Sequence, residues 1–299
     1  MSNFKDSTLN GERGAQDAKP ALQDRSIGHI IAEANNLTAE QVERILAHQR
    51  AKGLKFGEAA VALGLAKGED VLWALSQQFH YPYAPGGGKL PSEDLVLANK
   101  PFSHQAEAFR VLRSQINMQL FNADEPRRAI AVISHDSGDG KTFFAANMAI
   151  AFSQLGGRTL LVDADMRNPR QHSVFGIENN SGLSGILSGR SEANVIRPVA
   201  DLPSLFVMPV GTQPPNPMEL VERPAFGLLM RELVSKFDYV IVDTPAATYG
   251  ADYAVIAARC GAALALARKG TTRVNAVHDL VATLKNSPAK LAGVIMNEY

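Results

Sequence analysis

Between residues 103 and 299, six short segments are dominated by apolar side chains: 128–134, 158–162, 205–210, 238–242, 262–267 and 291–296. Their length and their content of Val, Ile, Leu and Ala predict strands. Because the apolar positions run on instead of alternating, both faces of those strands should be covered. Longer stretches with helical spacing lie between most of them, at 141–155, 217–235, 250–259 and 271–286, and a helix beginning near 103 leads into the series. Strands that alternate with helices build a mostly parallel sheet sandwiched between helical layers, an α/β fold with its ligand site at the C-terminal strand edge.

The first hundred residues follow another pattern. Residues 1–25 are polar, charge-mixed and poor in large apolar side chains, which predicts a disordered tail. Residues 26–81 repeat with an offset of 29: Gly28 matches Gly57, Glu40 matches Glu69, Val42 matches Val71, Leu46 matches Leu75 and Gln49 matches Gln78. Val and Leu stand four apart within each copy, so each copy reads as a short helix pair and the two together as a small all-helical domain. Pro and Gly concentrate in YPYAPGGGKLP at 81–91, and 82–102 is expected to be a linker to the α/β domain at 103–299.

Composition narrows the function. Lys plus Arg and Asp plus Glu balance at 30 each, so nothing in the bulk charge argues for a nucleic-acid partner. Cys260 is the single cysteine, which fits a reducing compartment and excludes a disulfide framework. The apolar stretch at 254–267 is interrupted by Arg259 and too short to span a bilayer, and no signal-peptide pattern opens the chain. A cytoplasmic location is expected.

Three apolar runs end in chemistry. The first passes through His-Asp-Ser to Gly138-Asp139-Gly140-Lys141-Thr142-Phe143, a Gly-rich turn opening a helix. Gly138 and Gly140 would let the backbone fold around phosphate, Lys141, taken as an exposed loop lysine, would neutralise it, and Thr142 would offer a hydroxyl to Mg²⁺. His135 stands where the common form of this motif has its first glycine. The second run delivers Asp163 and Asp165, followed by Arg167. Two carboxylates on one face of an extended segment repel unless a cation or proton compensates them. The third delivers Asp243, placed to hold Mg²⁺ directly or through water.

The set GDGKT, LLVDADMR and VIVDTP resembles the three Walker-type motifs of the bacterial tyrosine kinases, which regulate capsule and exopolysaccharide chain length. EAFRVLR at 107–113, the segment 168–189 and the segment 211–226 also resemble that family, so the likeness covers roughly 100–299. The N-terminal repeat is similar to the EpsG-type branch of free-standing kinases of exopolysaccharide gene clusters. The resemblance implies a P-loop NTPase fold, ATP and Mg²⁺ as cofactors, and an ATP-dependent protein tyrosine kinase regulating chain length, polymerisation and export. By transfer, Lys141, Asp163, Asp165 and Arg167 are the catalytic candidates, and Gly138, Asp139, Gly140, Lys141, Thr142, Phe143 and Asn297 the nucleotide-binding ones. Thr142, Asp163 and Asp243 are the metal candidates. Asp163 would be base or metal organiser, and Asn297 would contact the base or simply cap its strand. Glu107, Arg110 and Arg113 would join subunits in a homo-oligomeric ring, the alternative being a solvated salt-bridged face. The expected partner is a membrane chain-length determinant protein, a polysaccharide co-polymerase, holding the chain peripherally at the inner membrane.

Departures from the family pattern leave other readings open. DTPA replaces the usual DTPP, and the chain ends at GVIMNEY where well-known members continue into a tyrosine-rich tail. Tyr299 follows Asn297 too closely to cross a subunit interface, so weak or absent autophosphorylation is expected there, with Tyr81 and Tyr83 or a separate protein as acceptors. A non-catalytic ATP-binding ring scaffold and a positioning ATPase of the ParA/MinD type remain as alternatives. The N-terminal repeat resembles the helical module of type II secretion ATPases, some of which bind cyclic di-GMP. Binders carry arginine two residues before each repeat's glycine, where Ser26 and Lys55 stand here, and the first repeat has Asn35 where the second has Gly64. Cyclic di-GMP binding and protein docking both stand for this module.

Overall fold

The computed structural model describes residues 26–78, 91–121, 126–190 and 194–298. The expected tail at 1–25 lies outside those residues, as do Tyr81, Tyr83 and Tyr299. Two compact units divide near residue 78. The N-terminal unit contains α1 (Ile27–Ala34), α2 (Ala39–Lys52), α3 (Phe56–Ala62) and α4 (Gly68–Gln78), one helix pair per sequence repeat. Thr38 starts α2 with a reciprocal capping box to Gln41, and left-handed Gly53 ends it. Ile30, Ile31, Ile45, Ala59, Ala60 and Ala74 form its small core. Gly57 is needed there, because a Cβ at that position would lie 2.6 Å from Val71 Cγ1.

The second unit is a seven-stranded sheet in the order β3-β4-β2-β5-β1-β6-β7. Its strands are β1 (Ala129–Ser134), β2 (Thr159–Asp163), β3 (Arg197–Val199), β4 (Leu202–Met208), β5 (Tyr239–Asp243), β6 (Gly261–Arg268) and β7 (Lys290–Asn297). All neighbours pair in parallel except β3 with β4. The six strands read from the sequence are present. β3 escapes the pattern because it is three residues long and half exposed.

The helices are α5 (Val96–Asn99), α6 (His104–Leu120), α7 (Lys141–Ser153), α8 (Gln171–Phe175), α9 (Leu183–Leu187), α10 (Pro217–Glu222), α11 (Pro224–Lys236), α12 (Asp252–Cys260) and α13 (Val274–Lys285). One apolar cluster on the sheet joins Phe144, Met148, Ile150 and Phe152 of α7 to α6 and to Leu95 and Leu97. The other joins Phe226, Met230, Ile256 and Leu280 to the opposite strand face. Covering both faces accounts for strands that are apolar throughout.

Two expectations need correction. The single helix read at 217–235 is broken at Arg223, which is extended (φ −58°, ψ 143°) before Pro224, because a proline disfavours helical backbone in the residue ahead of it. The segment 91–102, expected as linker, is folded against the second unit. Leu97 N–H donates to Asn147 Oδ1 at 3.1 Å, and Asn147 Nδ2 donates to the Asp94 carbonyl at 2.7 Å. Leu95 and Leu97 are fully buried, and each such side chain contributes about 1.5–3 kcal/mol. A Pro/Gly-rich lead-in hid these apolar anchors from a composition-based reading.

Candidate nucleotide site

The strand order sets β2, β5 and β1 side by side, so the three chemistry-bearing strand ends converge. Asp163 and Asp243 are register partners, as are Val132 and Asp243. Beyond β1 the chain turns through Gly138 (φ 88°) and Gly140 (φ 94°), left-handed conformations that suit glycine, and enters α7 at Lys141. The first N–H groups of α7 have no intrahelical acceptor, and with the helix dipole they make an anion-binding end.

Lys141 is buried, not the exposed loop lysine expected. Its Nζ donates to Ser134 Oγ at 2.9 Å and to the Asp136 carbonyl at 3.4 Å, so the ammonium folds back over the loop. Asp139 turns inward: its carboxylate accepts from Asp136 N–H and from the Thr272 hydroxyl, so the side chain braces the loop from within. The Phe143 ring likewise packs on Phe109, with centroids 5.9 Å apart. Asn297 donates from Nδ2 to the Asp139 carbonyl at 3.0 Å, which braces the loop from β7.

Asp163 is fully buried and accepts N–H groups from Asp165 on one oxygen and from Arg170 and Gln171 on the other. The chain leaves the strand direction after Asp163, so Asp165 is not a plain second carboxylate on an extended face. Asp165 Oδ1 accepts from Arg167 N–H and Asn168 N–H and shapes the turn. The Arg167 guanidinium forms a two-pronged pair with Asp252, at 2.8 and 3.1 Å.

Asp243 accepts from Gln171 Nε2 at 2.9 Å on Oδ2, while its buried Oδ1 has no partner. Burial, and then the neighbouring Asp165, push Asp243 up to about 6, against the pull of Gln171, Lys141 and the Thr142 hydroxyl. Burial and the adjacent Asp243 hold Asp163 well above the usual carboxylate range. Paired buried carboxylates that resist ionisation, one with an orphaned oxygen, suit a cation. Among the described residues no cluster of three or more His, Cys, Asp or Glu is arranged as a metal cage. A mixed set of Thr142, Asp243, phosphate and water is the arrangement Mg²⁺ favours. Thr142 and Asp243 therefore fit the ion, and Asp163, with one N–H donor on Oδ1 and two on Oδ2, keeps an acceptor position on Oδ1 for a water or a hydroxyl.

Glu107, Arg110 and Arg113 lie apart from this constellation on α6. Arg110 pairs with Glu107 at 2.8 Å and reaches the Pro101 carbonyl, and Arg113 donates to the Ala151 carbonyl at 2.8 Å. Sequence reasoning overlooked Gln171, Asp252 and Gln213, whose amide donates to the carbonyl of Arg167 at 3.0 Å. None stands at a strand end, where charge attracts notice. Tyr249 was also passed over; it is 44% exposed in the short turn after β5, whose Thr248 N–H donates to the His135 carbonyl.

Parallel strands, a glycine turn that opens a helix and carboxylates on the two adjacent strands define a nucleotide-binding P-loop protein. Residues 130–299 match the CobQ/CobB/MinD/ParA nucleotide binding domain. The chain is 30% identical over 210 residues to the tyrosine-protein kinase YwqD of Bacillus subtilis, covering 70% of this chain and 88% of that one. It is 33% identical over 204 residues to the tyrosine-protein kinase wzc of Salmonella typhi, 68% of this chain but only 28% of wzc. The kinase domain of the Escherichia coli tyrosine kinase ETK superposes with a TM-score of 0.65 at 29% identity, over 68% of this chain and 79% of that domain. The chain belongs to the bacterial tyrosine kinase family.

Proposed function

We propose that this protein is an ATP-dependent protein tyrosine kinase of exopolysaccharide synthesis, of the EpsG type, that acts on chain length, polymerisation and export. The observation that carries the reading is the Asp163–Asp243 pair, register partners on adjacent strands beside the helix that begins at Lys141. Phosphoryl transfer depends on charge stabilisation and positioning more than on covalent chemistry, and these residues supply both. Lys141 and the first N–H groups of α7 bind the phosphates, Thr142 and Asp243 hold Mg²⁺, and Asn297, whose Nδ2 donates to the Asp139 carbonyl, acts by bracing the loop and offers its remaining amide oxygen toward a base. Asp163, raised above the usual carboxylate range, is suited to take the tyrosine hydroxyl proton. Asp165 and Arg167 keep the turn after Asp163 in shape.

Membrane attachment through a chain-length determinant protein and assembly into a ring through Glu107, Arg110 and Arg113 belong to the same proposal. Among the described residues no helix is long and apolar enough to cross a membrane. For the N-terminal unit, protein docking is the favoured reading over cyclic di-GMP binding, since Ser26 and Lys55 occupy the helix starts where known binders have arginine. Calorimetry with cyclic di-GMP separates the two.

Lys141→Met keeps an unbranched stem in the buried position and should abolish Mg-ATP binding. Asp163→Asn should spare ATP binding and lower phosphoryl transfer by at least 100-fold. Wild-type turnover in both variants would sink the site assignment. A non-catalytic scaffold or a positioning ATPase would bind or hydrolyse ATP yet leave no phosphotyrosine.

A further inference from the structure

We propose that Gln171 is a positioning residue that ties the three motifs together and aims Asp243 at the cation of a bound nucleotide; the inference rests on the nucleotide–cation reading above. Gln171 is the first residue of α8 and is fully buried. A buried primary amide is costly unless its hydrogen bonds are met, so its contacts are informative. Its backbone N–H donates to Asp163 Oδ2 at 3.0 Å. Its side-chain Nε2 donates to Asp243 Oδ2 at 2.9 Å and to the Thr142 carbonyl at 3.1 Å. One residue thus touches the first turn of α7, the end of β2 and the end of β5.

The direction of the amide follows from those partners. Asp243 Oδ2 and the Thr142 carbonyl are both acceptors, so the amide must turn its nitrogen toward them. That orientation leaves Gln171 Oε1 buried and without a partner, like Asp243 Oδ1. Two adjacent side chains therefore each hold an orphaned acceptor oxygen, while the donor side of the same contact is satisfied. A hydrated divalent cation supplies what is missing: positive charge for the carboxylate oxygen and water protons for the amide oxygen. By occupying Oδ2, Gln171 fixes the Asp243 carboxylate so that Oδ1 is the oxygen left for the ion. A glutamine that merely filled space would support stability alone and would not set cation affinity.

The test uses the full chain and a fluorescent ATP analogue, with MgCl₂ titrated at fixed nucleotide, and with nucleotide titrated in EDTA as the control. Gln171→Leu should raise the Mg²⁺ concentration for half-saturation at least tenfold, while affinity in EDTA changes less than twofold. Thermal unfolding in EDTA shows whether the variant is folded. Gln171→Met, unbranched and close in volume, serves if the leucine variant is not, and should behave identically. An unchanged Mg²⁺ requirement in a folded variant overturns the proposal, as does an equal loss of affinity with and without Mg²⁺. If wild-type protein binds nucleotide with no dependence on Mg²⁺, the underlying cation reading fails first and the role of Gln171 with it.

Discussion

Asp243 is buried, raised to about 6 and bonded on one oxygen only, and these three properties set the pH behaviour of the site. An unfolded aspartate titrates near 3.9, so without a cation the folded protein holds this proton more tightly than the unfolded chain does. The stabilisation is complete below about pH 4 and is lost as pH rises through about 6. Asp243→Asn removes that loss and still accepts from Gln171. In EDTA, its melting temperature should match wild type near pH 4 and exceed it at pH 7, by up to about 2 kcal/mol of stability. Mg-nucleotide should reverse the ranking by stabilising the wild type. Parallel melting curves across that range, with no divergence, would show that Asp243 is not the group in question. Cys260, by contrast, is buried and pushed far up by burial, so it should stay unreactive toward thiol reagents in the folded state.

At the scale of elements, what the sequence made legible depended on length and polarity. Apolar runs of five residues or more identified the buried strands, and the glycine turn before Lys141 identified the start of α7. The short β3, the five-residue α8 and α9 and the break before Pro224 depend on contacts distant in sequence. Gln171 was illegible for the same reason: a neutral amide six residues past Asp165 acquires meaning only when folding sets it against Asp243. Close backbone crossings were equally hidden. Gly182 lies against 209–211 with Leu183 N–H donating to the Pro209 carbonyl and Ser184 N–H to that of Val210, both at 2.9 Å. A Cβ on Gly182 would sit 2.1 Å from the Pro209 carbonyl oxygen, which as backbone cannot rotate away. Gly182→Ala should cost about 1–3 kcal/mol and lower the melting temperature by several degrees. An unchanged melting curve would mean that the crossing is not formed in solution.

At the scale of the whole molecule, assembly is best probed through Glu107. Arg110 and Arg113 are tied to carbonyl groups of their own chain, so alanine in their place would disturb the monomer as well as any interface. The Glu107 side chain is 65% exposed, and reversing it costs only its surface pair with Arg110 and its place in the first turn of α6, about 1 kcal/mol. Glu107→Lys should therefore shift the protein toward monomer in light scattering with Mg-ATP while lowering the melting temperature by no more than about 4 °C. Equal masses for variant and wild type would remove α6 from the proposed ring contact.

In the proposed reaction the buried carboxylate pair and Lys141 support transfer of phosphate to tyrosine. The most direct measurement is phosphotyrosine mass spectrometry after incubation with Mg-ATP, with the membrane partner and a Glu/Tyr copolymer as acceptors and Lys141→Met as the control. Phosphotyrosine is expected in the wild-type reaction, on the copolymer, on Tyr81 or Tyr83 or on the exposed Tyr249, and none with the variant. ATP hydrolysis without phosphotyrosine on any acceptor would contradict that expectation.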